Sequence, residues 1–98
     1  MKTILIPHLH YKVFIKKPTK EKPFENAVAW VESNGFYSCT LYINQPIKQK
    51  DIPTLAHELV HVLQFIALER NIDFKLEHEH FGYLMNYMMN IILGYEYE

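Results

Sequence analysis

Cysteine is almost missing from this chain. Cys39 is alone among 98 residues, so no disulfide can form within the chain and no oxidising compartment is implied. Its neighbours alternate as in a strand, which makes it a small strand side chain before it is a reactive thiol. An excess of either charge is missing too. Ten Lys and Arg against eleven Asp and Glu leave a formal charge of −1, with no general pull towards nucleic acid or an acidic lipid surface. Lys16, Lys17, Lys20 and Lys22 do cluster, but among Pro18 and Pro23, so they read as a solvated loop and nucleic acid is not expected as a partner. Long hydrophobic runs are also missing. Ile4 to Ile6 is cut short by Pro7, His8 and His10, too early for a signal-peptide core, and no apolar stretch reaches membrane-spanning length. The expectation is a chain that stays where it is made, the cytoplasm by default, with no membrane partner.

What is present suits a folded domain: 49% hydrophobic and 21% charged residues, enough for one modest core and too few residues for two. A single domain over 1–98 is expected. The first half has strand character. Residues 3–6 and 10–15 are rich in Ile, Val, Tyr and Phe and are split by Pro7. Ala27 to Glu32 and Phe36 to Asn44 flank Ser33-Asn34-Gly35, and Asn-Gly favours the positive φ angles of a tight antiparallel hairpin. Tyr37, Cys39, Leu41 and Ile43 alternate with more polar residues, the period of a strand with one buried face. The second half has helix character. Asp51 suits an N-cap, Pro53 is tolerated in the first turn, and Leu55 to Leu68 carries apolar residues on nearly every face, which predicts a central helix. Asn71 can take the left-handed position after that helix. A second helix is predicted from about Leu76 to Leu93, stopped by Gly94. The fold class is therefore α+β, a small antiparallel sheet with a hairpin packed on two helices.

The first helix contains His57-Glu58-Leu59-Val60-His61, an H-E-x-x-H motif. Histidines four residues apart project from one helix face and can hold one tetrahedral metal ion. Glu58 lies about 100° round the helix from His57, placed to meet a water on the metal rather than the metal itself. Zinc lowers the pKa of such a water to about 7, and the carboxylate can then act as general base. In chains with six His and nine Glu the fixed positions of the motif arise by shuffling in roughly 3 of 100 cases. Two histidines and a glutamate in an otherwise apolar helix are also costly to bury unless something satisfies them, and one Zn2+ per chain would do so.

A catalytic zinc takes three protein ligands. The metzincin continuation is ruled out because Gln64 and Ala67 stand where it needs Gly and His. The next helix offers Glu77, His78, Glu79 and His80. Glu79 is preferred because it shares a face with Gly82, Tyr83, Asn86 and Asn90, a polar stripe in which the glycine permits close helix approach. His80 is the second choice and His78 the third. His57 to His61 followed by Glu79-His80-Phe81-Gly82-Tyr83-Leu84 resembles the gluzincin arrangement, in which a glutamate on the following helix completes the site. The stretch 36–93, including Thr54 to Glu58 (TLAHE), is similar to small metallopeptidases of phage and bacterial genomes. His80 stands where those carry a small residue, which leaves Glu79 and His80 both open as ligand. The resemblance implies a minimal zincin-like domain that hydrolyses peptide bonds in a protein or peptide substrate, with Glu58 as general base and Tyr83, or Tyr87, in the place of the group that stabilises the transition state. An extended substrate adding to the strand Phe36 to Asn44 would meet Tyr37, Tyr42 and Asn44. Three other readings stand beside this one: a zinc-binding interaction protein, a hydrolase of non-peptide amides, and a nucleic-acid-associated protease recruited by the Lys16–Lys22 loop.

Overall fold

A computed structural model describes residues 2–18 and 29–94. Lys20, Lys22 and Pro23 of the basic loop, and residues 27–28 of the expected hairpin, lie outside the described residues.

Two short β-branched runs give β1 (Lys2–Ile6) and β2 (Tyr11–Lys16), and Pro7, with no N–H to offer a ladder, starts the 3-10 turn Pro7–Leu9 between them. β3 (Ala29–Gly35) and β4 (Ser38–Ile43) form the hairpin. The sheet is mixed, with order β1-β2-β4-β3. β1 pairs antiparallel with β2 and β3 with β4, but β2 runs parallel to β4, with Val13 opposite Cys39 and Ile15 opposite Leu41. The wholly antiparallel sheet expected from sequence is corrected on this point. The hairpin turn is corrected too. Its two-residue loop is Phe36-Tyr37, with φ of 51° and 60°, while Gly35 at φ 69° closes β3 against Ser38.

One sheet face carries Ile4, Ile6, Tyr11, Val13, Ile15, Cys39, Leu41 and Ile43, all buried, and both helices pack on it. Cys39 is fully enclosed there and burial pushes its thiol up to about 12, so it is no nucleophile at neutral pH.

The first helix, α1 (Ile52–Glu69), follows a 3-10 turn at Gln49–Asp51. Asp51 takes the N-cap place, yet its carboxylate accepts from the Lys48 backbone N–H at 3.1 Å and caps none of the helix's own donors. α1 ends as expected: Asn71 has φ 53°, and Ile72 N–H donates to Ala67 C=O at 2.9 Å. Its inward face is Leu55, Leu59, Val62, Leu63 and Ile66, each stabilising the fold by about 1.5–3 kcal/mol. The opposite flank is open, since Val60 is 43% and Leu68 78% exposed, so α1 is not buried all round.

The second helix, α2 (His78–Leu93), stops at Gly94 with φ 73°. Phe81, Leu84 and Met88, spaced by three and four, are its buried residues. Among the described residues, no helix is long and apolar enough to cross a membrane.

Candidate metal centre

His57 and His61 stand one turn apart on α1, and both are exposed. Their Nε2 atoms are 3.3 Å apart and the rings meet nearly edge to face, at 79°. Two nitrogens bound to one tetrahedral zinc at about 2.0–2.1 Å stand about 3.3–3.4 Å from each other. The observed spacing matches that edge, and it is also the length of a hydrogen bond from one ring to the other.

The next shell fits as well. His61 Nδ1 donates to Gln64 Oε1 at 3.1 Å, which puts the lone pair of His61 on Nε2, the atom facing His57. Gln64 was read only as a residue that breaks the metzincin pattern. Its place three residues after His61, on the same helix face, was the signal for this second role. Gln64→Ala should weaken zinc binding by about tenfold with the fold intact, because such orienting partners are worth about 10–100-fold. Titration with zinc beside far-ultraviolet circular dichroism checks both halves of that expectation.

Glu58 is 8% exposed, the one buried carboxylate among the described residues. Burial holds its carboxyl above the usual carboxylate range, and positive charge on His61 and His57 pulls it part of the way back. It thus belongs electrostatically to the histidine pair while lying deeper than either ring.

The other expected site residues are placed elsewhere. Among the described residues, no group of three His, Cys, Asp or Glu side chains is assembled that could hold a metal ion, so Glu79 is not brought to His57 and His61. The physical reason is the orientation of α2. Phe81, Leu84 and Met88 claim the inward face, which leaves Glu79, Gly82, Tyr83 and Asn86 exposed. Gly82 has open space where a Cβ would stand, so it permits no close helix approach. Tyr83 is 70% exposed and lines a hollow with His8 and His80, away from the motif helix, while the Tyr87 hydroxyl donates to Leu5 C=O at 3.1 Å.

Substrate addition along Phe36 to Asn44 is also corrected, because β4 is paired on both sides and offers no edge. Tyr37 sits in the hairpin turn with the Arg70 guanidinium 3.6 Å above its ring. Tyr42 stacks on Trp30 at 4.9 Å, and Asn44 is exposed just past the strand.

No family model matches the chain, and no curated protein or solved structure is significantly similar to it.

Proposed function

We propose that this chain is a small zinc metallopeptidase of gluzincin-like type, holding Zn2+ through His57 and His61 and using Glu58 as general base. The observation that carries the reading is the 3.3 Å spacing of the two Nε2 atoms on a helix whose buried Glu58 feels the charge of both histidines. Zinc, when bound, supplies a Lewis acid that polarises a carbonyl and acidifies water. The chain's own part is to orient His61 through Gln64, to take the proton of the attacking water on Glu58, and to return it to the leaving amine. The apolar hollow of about 580 Å³ lined by Val60, Gln64, Ala67, Leu68 and Phe74 includes the Gln64 that bonds His61, and it suits an apolar substrate side chain. It replaces the sheet edge as the proposed substrate contact.

Glu79 is the proposed third ligand. It would join only after a shift of the first turn of α2. Residues 73–79 are exposed throughout while Phe81 is buried, so the shift is confined to the segment up to Glu79 with Phe81 kept in the core. The test runs on the zinc-loaded chain in a cell lysate, reading new protein N-termini that disappear on chelation. Alongside it, Glu79→Gln should weaken zinc binding at least about tenfold more than Glu77→Gln. Equal affinities would leave the ion on two histidines and water. That result, with no chelation-sensitive cleavage, favours the second reading, a zinc-binding interaction protein of the same fold. The exposure of both histidines is the observation on its side.

A further inference from the structure

A second histidine pair lies outside the motif helix. His8, in the turn Pro7–Leu9, and His80, in the first turn of α2, bring their Nε2 atoms to 3.3 Å, with ring centroids 5.1 Å apart at 81°. His57 and His61 show 3.3 Å, 5.0 Å and 79°. One geometry thus occurs twice, once across a helical turn and once between segments 72 residues apart.

The surroundings of the second pair are those of a cation site at the mouth of an apolar hollow. His8 and His80 line a hollow of about 360 Å³ with Pro7, Tyr83, Leu84 and Tyr87. His80 also lines a second hollow with Leu9, Asp73 and Glu77. The pair also ends a seam. Along α2, Tyr87 OH donates to Leu5 C=O at 3.1 Å and Lys2 Nζ donates to Ile91 C=O at 2.7 Å. His80, Tyr87 and Ile91 follow at intervals of seven and four, so one α2 face is tied to β1 and its turn at three levels. Two of those ties are ordinary hydrogen bonds. The third is a pair of imidazoles, side chains with a high affinity for zinc, nickel and copper ions.

We propose that His8 and His80 form a second transition-metal site, distinct from the motif site, that binds a zinc-class divalent ion and clips α2 to the turn after β1. Two protein nitrogens hold the ion and water fills the rest of its shell, so the site is weaker than one with three or four protein ligands. An ion there fixes the first turn of α2 in the position described, with Glu79 on the solvent side. The inference does not depend on what the His57–His61 pair does. An ion held here and ligation of the motif ion by Glu79 do exclude each other, since one needs the first turn of α2 where it stands and the other needs it moved.

The experiment is therefore done without that pair. In a His57→Ala/His61→Ala double variant of the full chain, titration with zinc alone should still find one site. Saturating zinc should raise its melting temperature. Adding His8→Ala, or separately His80→Ala, should weaken the remaining binding at least about tenfold and remove the thermal shift. Circular dichroism of each metal-free protein shows whether the fold is kept. Should either variant unfold, zinc-induced shifts of the His8 and His80 imidazole resonances in the double variant replace it. No zinc site in the double variant overturns the proposal. So does a site that survives loss of either histidine, or imidazole resonances that zinc leaves unmoved.

Discussion

Wild-type chain purified from zinc-containing medium should carry zinc at His57 and His61, and His57→Ala or His61→Ala should each remove that ion almost completely. The size of the effect follows from the ligand count. The structure assembles two protein nitrogens there, and deleting one leaves a lone imidazole, which holds zinc far less tightly than a chelating pair. Neither ring is buried, so the substitutions take nothing from the core and the metal-free variants should fold like the metal-free wild type. Loss of the ion should show as a lower melting temperature in zinc, because an ion that binds only the folded chain stabilises it by mass action. Since His8 and His80 offer a second pair, the measurement must be stoichiometric: one fewer ion per chain, with the weaker site unaffected. Equal zinc content in wild type and both variants would refute the metal reading of the motif.

The motif was legible because it depends on one helix. Residues four apart on an α-helix share a face whatever surrounds them, so His57 and His61 could be paired before any packing was known. The ends of the helices were legible for the same local reason. Asn71 takes the left-handed conformation that its short polar side chain tolerates, and Gly94, lacking a Cβ, takes it freely, at φ 53° and 73°. The inward face of β4 could also be read, since Cys39, Leu41 and Ile43 are buried as their alternation predicts.

What depended on distant partners could not be read in this way. Asn34-Gly35 is a strong local turn signal, yet the turn falls on Phe36-Tyr37. The Asn34 side chain is instead engaged with Thr40, donating at 2.9 Å and accepting at 3.2 Å, and Arg70 covers Tyr37 from the far end of α1. Parallel pairing of β2 with β4 makes β4 an interior strand, and strand alternation identifies a buried face without saying which edges are free. The polar stripe on α2 was taken as the face towards α1. Burial of Phe81, Leu84 and Met88 fixes the helix the other way, because the apolar area they bury outweighs what one carboxylate could contribute.

Glu58→Gln should separate catalysis from binding more sharply than any other change. The amide keeps the size and hydrogen-bonding capacity of the carboxyl but cannot accept a proton from water at neutral pH. Hydrolysis should fall by about 100-fold or more while zinc content stays at the wild-type value, since in this mechanism Glu58 takes the water's proton and is not a ligand. The fold gives this variant a second signature. Glu58 is a buried carboxylate whose burial disfavours its charge, so its folded pKa is raised above the unfolded one. A carboxyl so shifted binds protons more tightly when folded, and its ionised form therefore works against stability once the pH is above both values. At neutral pH, replacing it with the neutral amide should raise the melting temperature of the metal-free chain. A gain in stability joined to a loss of turnover is what a residue kept for chemistry produces. A residue kept for packing would lose stability on replacement and leave turnover unchanged. Because the substrate is not yet named, the cleavage assay belongs beside a cellular phenotype. A Glu58→Gln protein that holds zinc, is no more stable than wild type and keeps full biological activity would transfer the assignment to the interaction-protein reading.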